Sequence, residues 1–470
     1  MHSGIIDGSI PSFAVTGHPN KGKSSIVSTL AMDSDVAVSD IPGTTTRSRA
    51  FPLVVDGEML YTLYDTPGFQ RPSAVLDALA GEEISSLPKY LRLRRFIEKY
   101  GDDPKFADDI ELLTPVAEGS AVIYVVDGSK PYGVEFETEM EILSYGSGPS
   151  LAIINIIGDR DFSREWRVSL ERHFSIVKIF DPVKADFSQI VSLLETISMM
   201  KDDWREPIAD AISAMGRMRK NAISDSAAEI ASAMKDMVTH IRKMEIKGKP
   251  IREYREKLSH GFRNDLVDME KKCTHRISEI WRRRCLTDGE KCNDIMSGME
   301  LFSGESLSIF GLDRKELIAI SAGAGAIAGS SIDIALGGNS LFTGTLIGTL
   351  MGVAGTIAGF DKIYDMKLMG RKVGKRYLQA GPVKDMGFVF IYLHRLLYFT
   401  VETANRPHAD REAIELREDI VSGKDWMSPR ERRKLHRLHR RMRKEYPGYG
   451  DPLEEYAKTI GEILEAHIEF

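Results

Sequence analysis

The chain has 470 residues, too many for a single hydrophobic core, so two or three domains are expected. With 42% apolar and 28% charged residues it is an ordinary folded sequence rather than a disordered one, and its net charge of −6 names no partner. The three cysteines, Cys273, Cys285 and Cys292, lack CxxC spacing, which argues against a disulfide framework and a zinc site and fits a reducing cytoplasm. Met1 to Phe13 lacks the basic start and long apolar core of a secretory signal, so a location inside the cell is expected.

Residues 10–200 alternate short apolar runs with polar helical stretches, the rhythm of an α/β sheet domain. The first strand, Ser12–Thr16, runs into Gly17-His18-Pro19-Asn20-Lys21-Gly22-Lys23-Ser24, a full GxxxxGKS placed between a strand and a helix. Glycines let the amides of this turn, Asn20, Lys21 and Gly22 among them, close around a β-phosphate, and the helix N-terminus adds positive potential. Lys23 would reach the β- and γ-phosphates, Ser24 would hold Mg²⁺, and Ser25 could donate to the α-phosphate. Ile41-Pro42-Gly43-Thr44-Thr45-Thr46-Arg47 follows, a threonine-rich loop where a second Mg²⁺ hydroxyl is needed.

Strands at Phe51–Val55 and Leu60–Tyr64 flank Asp56-Gly57, the signature of a tight antiparallel hairpin. Asp65-Thr66-Pro67-Gly68 ends the third strand, placing a carboxylate to hold Mg²⁺ through water and the Gly68 N–H to meet a γ-phosphate. About fifty residues separate Gly68 from the fourth strand, and within this insert, near 70–118, Pro88 to Arg95 is helical and basic. Further strands are expected at Ala121–Val126, Leu151–Ile157 and Ile176–Phe180.

After Trp204 the pattern turns helical. Ile208, Ile212, Met215 and Met218 share one face, as do Ile230, Met234, Met237, Val238 and Ile241. Lys247-Gly248-Lys249-Pro250 breaks this run, and a charged helix is expected to about Arg284. Leu317–Leu336 carries only Asp333 as a charge, and Leu341–Phe360 carries none; Gly337 to Ser340 joins them into a helical hairpin. Gly344, Gly348 and Gly352 recur at a step that lets helices approach closely. Each arm could cross a bilayer core of about 30 Å, but Asp333 is costly in lipid. Membrane contact and a buried soluble hairpin both stay open. Ser428-Pro429-Arg430-Glu431 is a capping box, and the helix it starts carries Arg432, Arg433, Lys434, Arg437, Arg440, Arg441, Arg443 and Lys444, with Leu435, Leu438 and Met442 as its apolar stripe. That basic face is either simply solvated or turned to anionic lipid or RNA phosphates.

The series GxPNxGKS, PGTT(T)R and DTPG resembles that of the Era, Der and MnmE group of bacterial translation-factor-class GTPases. More faintly, the chain is similar over most of its length to GTPases fused to a C-terminal helical domain of unknown function. The resemblance implies a P-loop GTPase domain over 10–200, with a mostly parallel sheet and one antiparallel hairpin. An α-helical C-terminal region then divides into a charged part (201–310), the glycine-rich hairpin (311–365) and a basic part (366–470). It implies that Thr46, with Thr45 as the alternative, is the switch I threonine, and that Asn20 helps bind K⁺. It further implies slow turnover, stimulated by K⁺, by G-domain dimerisation or by a partner.

Two departures stand out. Asn155 sits where the base-reading NKxD motif has its asparagine, but Ile156 replaces the lysine and Gly158 the aspartate that pairs with guanine. Asp159 or Asp161 could reach the base by a register shift; GTP is expected, and ATP is not excluded. Phe69 follows Gly68 where Ras-like enzymes place or closely precede a water-orienting glutamine; Gln70 is next, and no catalytic residue is assigned. The expected function is a Mg²⁺-dependent GTPase switch working at the inner membrane surface. The alternatives are an RNA- or ribosome-associated GTPase and a nucleotide-binding scaffold with little turnover.

Overall fold

The computed structural model describes residues 10–32, 48–247, 251–283, 296–297, 364–368, 371–383, 385–410, 414–415, 426–443 and 451–469. The expectations for the threonine loop, Thr45 and Thr46 included, and for the 317–360 hairpin fall outside these residues.

Strands β1 (Ser12–Thr16), β2 (Arg49–Val55), β3 (Glu58–Asp65), β4 (Ala121–Asp127), β5 (Ser150–Asn155) and β6 (Ile176–Ile179) form one sheet in the order β2-β3-β1-β4-β5-β6. Only β2 and β3 pair antiparallel; every other neighbour is parallel. The turn between β2 and β3 works because Asp56 and Gly57 both take left-handed backbone angles, φ +53° and +85°. β4 is buried over its whole length because helices cover both faces of the sheet, so it reads as an unbroken apolar run. β5 ends at Asn155, two residues before the expected limit. The Asn155 carbonyl takes the Gly128 N–H at 2.7 Å, and Ile157 beyond it is exposed.

One face of the sheet is covered by α1 (Lys23–Ala31), α8 (Phe187–Ser198) and the start of α9 (Arg205–Thr239). On the other face lie the insert helices α2 (Pro72–Ala80), α3 (Glu82–Ser85), α4 (Lys89–Tyr100) and α5 (Ala107–Ala117), followed by α6 (Glu135–Leu143) and α7 (Ser163–Leu170). α9 is 35 residues long, about 50 Å at the rise of an α-helix. Ile208, Ala211 and Met215 in its first half belong to the sheet-domain core, while Ile230, Met234 and Met237 belong to a second core. One continuous helix therefore enters both domains.

The second core surrounds α11 (Met386–Asn405), whose residues 388–401 are all buried. A helix buried on every side belongs at the centre of a bundle. α9, α10 (Ile251–Ile280), α12 (Pro429–Arg443) and α13 (Pro452–His467) pack into the same core. Arg395 on α11 is buried against Glu270 on α10, with nitrogen–oxygen distances of 2.6 and 3.2 Å. Leu435, Leu438 and Met442 form the buried stripe of α12, as expected.

This region is not helical throughout. β7 (Arg242–Ile246), β9 (Tyr364–Leu368) and β10 (Arg371–Ala380) form an antiparallel sheet with β10 in the middle, and β8 (Met296–Ser297) pairs with β11 (Ile414–Glu415). α9 stops at Thr239, so Ile241 lies past its end and is exposed rather than on its buried face. Lys243 to Ile246 alternates polar and apolar residues, the period of a strand, but its partner lies some 130 residues away. Among the described residues no helix is long and apolar enough to cross a membrane.

Candidate nucleotide-binding site

The loop between β1 and α1 depends on glycine at two points of close approach. Gly17 has φ +134°, and a Cβ there would lie 2.4 Å from the Val125 carbonyl oxygen on β4. Gly22, at φ +87°, is the N-cap of α1, and a Cβ there would lie 2.3 Å from Asn155 Nδ2. Asn155 is buried and donates to the Lys21 carbonyl at 3.2 Å, so it supports the loop from beneath. Asn20 is exposed at φ +59°, a left-handed conformation that asparagine tolerates.

Lys23 is buried at the start of α1 and donates to the His18 carbonyl at 3.1 Å. Burial pushes its pKa down to about 8, against the pull of Asp65 and Glu139. Ser24 Oγ donates to Asp65 Oδ2 at 2.8 Å. A hydroxyl and a carboxylate brought together at the ends of α1 and β3 are hard oxygen donors of the kind Mg²⁺ takes. Ser25 is buried one residue on. The Lys21 ammonium lies 3.6 Å from Asp127 at the end of β4, and Lys130 lies 3.8 Å from the same carboxylate. Burial lowers the Lys21 pKa while Asp127 opposes that shift. With its charge committed to Asp127, Lys21 offers its main chain to the loop.

The segment after β3 is packed tightly against this loop. Thr66 donates its hydroxyl to the Val15 carbonyl at 2.7 Å. A Cβ on Gly68 would lie 2.6 Å from Pro19, so a side chain there would force the segment off the phosphate loop. Phe69 is buried, whereas Gln70 is exposed and its Nε2 lies 3.4 Å from the Gly68 carbonyl.

One network at the site was not legible in the motifs. His18 Nδ1 lies 2.9 Å from Glu139 Oε1, and the Tyr124 hydroxyl donates to Glu139 Oε2 at 2.8 Å. Glu139 is only 1% exposed. In sequence it is one of four alternating glutamates, Glu135 to Glu141, and only the tertiary fold singles it out.

The base end is different. A Cβ on Gly158 would meet Ser129 Oγ at 3.2 Å, and that hydroxyl donates to Asp127 at 2.5 Å. A side chain at residue 158 would thus sit tightly against Ser129. Of the two candidates for a register shift, Asp161 accepts the Ser163 N–H at 2.8 Å where α7 begins, and Asp159 is exposed. The residues expected at the phosphates, Lys23, Ser24 and Asp65, therefore lie with Asn155 around one loop, while Asp159 and Asp161 are both exposed.

Comparison with known proteins divides the chain between two families. The profile of the family described as "50S ribosome-binding GTPase" matches residues 12–155, and that of the family described as "Domain of unknown function (DUF3482)" matches residues 167–455. Among curated proteins, GTPase Der of Aromatoleum aromaticum is 41% identical over 73 residues, 16% of this chain and 16% of that one. GTPase Der of Moorella thermoacetica is 31% identical over 148 residues, 32% of this chain and 27% of that one. GTPase Der of Caldicellulosiruptor saccharolyticus is 27% identical over 195 residues, 39% and 38% of the two chains. The chain therefore spans well under half the length of these relatives. A solved structure of Era in complex with MgGDPNP and nucleotides 1506–1542 of 16S ribosomal RNA aligns at 14% identity with 58% of this chain and 90% of that one, with a TM-score of 0.29, too low to add to what the fold already shows.

Proposed function

The chain belongs to the family defined by the domain of unknown function DUF3482, here preceded by a GTPase domain, and on that premise we propose that it is a magnesium-dependent switch that binds and hydrolyses GTP. The observation that carries this reading is the meeting of Lys23, Ser24 and Asp65 beneath an amide-lined loop. The loop amides and the Lys23 ammonium hold the β- and γ-phosphates, and preorganised donors stabilise charge that develops on the transferred group. Ser24 and Asp65, with Thr46, would hold Mg²⁺, which supplies charge neutralisation between the phosphates. Asn20, exposed at the loop's edge, is the side chain offered to K⁺.

β2 begins just after the threonine loop and β3 ends at Asp65, so the two sensors of nucleotide state share one hairpin. The first half of α9 packs in the same core as that hairpin, and Arg217 reaches Asp56 in its turn at 4.0 Å. Movement of the hairpin would therefore reach the second core through α9. At the far end Arg430, Arg433, Arg437 and Arg440 line an exposed face of α12, suited to the anionic inner membrane surface. A second reading, RNA phosphates, is favoured by one fact. The apolar stripe of α12 is buried in the domain core, so this helix contacts a partner by charge alone.

Phosphate release with GTP, in K⁺ against Na⁺ and with and without Mg²⁺, tests the first claim: no release under any condition would refute the switch. Flotation with anionic vesicles against cosedimentation with ribosomal particles separates the two partners.

A further inference from the structure

The helical insert touches the nucleotide site at two points, both on α5. Asp109 is 1% exposed, and its Oδ1 accepts the backbone N–H groups of Gln70 at 3.0 Å and Arg71 at 3.4 Å. Those residues follow directly on Gly68 and Phe69. Glu111 serves the other loop: the Ser48 N–H donates to its Oε2 at 3.1 Å, and the Ser48 hydroxyl donates to its main-chain oxygen at 2.5 Å. Ser48 immediately follows Arg47 of the threonine loop. Two residues along a helix is a rotation of about 200°, so Asp109 and Glu111 leave α5 in nearly opposite directions, toward different loops. The helix between them is fixed: Leu112, Leu113 and Val116 are buried in the same core as Phe69 and Val75, and α5 leads into β4.

Asp109 Oδ2 is also buried and has no hydrogen-bond partner among the described residues. A buried acceptor left unsatisfied is costly and unusual. Burial raises the Asp109 pKa, while the Gln70 and Arg71 N–H bonds oppose that rise. A side chain held at such a cost by two backbone amides has a positional task.

We propose that α5 is a brace joining the segment at Ser48 to the segment at Gln70–Arg71, with Asp109 and Glu111 as positioning residues, so that these two segments move together and the insert sets where they rest. Neither residue is assigned contact with the reacting atoms. The proposal deepens the switch reading and rests on it for its kinetic effect, though not for its structural one.

The test is Asp109→Ala in the full chain, read by hydrogen exchange and by GTP turnover. Exchange should quicken over residues 66–71 and also over 48–50, which Asp109 does not touch. Turnover should fall about tenfold in kcat, the scale of two lost hydrogen bonds, with KM nearly unchanged. Asp109→Asn keeps an acceptor oxygen for both amides and should restore kcat and slow exchange at both loops. This variant also serves if the alanine chain does not fold. Unchanged exchange over 48–50 in Asp109→Ala would overturn the proposal, as would Asp109→Asn falling as far as alanine. The exchange comparison needs no nucleotide, so a protein that hydrolyses nothing would refute the switch reading and leave the brace to be judged separately.

Discussion

The two ends of the nucleotide site are built to different standards. At the proposed phosphate end four residues are each held by a packed neighbour: Gly17 by β4, Gly22 by Asn155, Gly68 by Pro19 and Ser24 by Asp65. At the expected base end, Asn155 supports the loop from below. On the proposed reading, the contrast separates a polyphosphate grip built by local packing from base discrimination.

Breaking the stronger end should have the largest effect. Lys23→Ala removes a buried cation facing the phosphates, a charge-assisted contact of about 3 kcal/mol, and should weaken GTP binding about a hundredfold by calorimetry. An unaltered Kd would place the triphosphate elsewhere. Asp65→Asn keeps the size of the side chain but removes the charge that faces Mg²⁺. Binding should then lose most of its Mg²⁺ dependence, about tenfold in affinity at saturating metal, seen by titrating the metal at fixed GTP.

The grip should also depend on pH in a definite direction. In the free protein Lys23 holds its proton only below about pH 8, because burial outweighs its carboxylate neighbours. A triphosphate favours the charged form, so binding above that pH must take up a proton. Affinity should fall about tenfold per pH unit above 8 and stay level below it on this account. A flat profile to pH 10 would contradict it.

Much of the phosphate end was legible because it is local. GxxxxGKS and DTPG each close within eight residues, and the hairpin turn at Asp56-Gly57 needs only its own two residues. Glu139, Asp109 and Glu111 were not legible, since each acts across more than thirty residues on a loop it is not near in sequence. The β7–β10 pairing was hidden for the same reason. Ile241 was misplaced because it continues the apolar spacing of α9 by one step, and spacing alone does not show where a helix ends.

The smallest effect is expected from an attempt to repair the weaker end. Gly158→Asp restores the motif letter but drives its Cβ against Ser129, 3.2 Å away. The variant should gain less than about threefold in GTP over ATP, well below the discrimination a properly placed base contact gives. Adding Ser129→Gly should recover more. A large gain from Gly158→Asp alone would show that the base end is intact and merely lacks its carboxylate.

The central claim, that the turn from residue 17 to 24 encloses a magnesium polyphosphate, is tested most directly by titrating the full chain calorimetrically with GTP and with ATP in Mg²⁺, then repeating with the metal chelated. One site is expected, saturable by GTP, with a modest preference over ATP and a marked loss on chelation. Absence of heat and of saturation with both nucleotides in Mg²⁺ would contradict it.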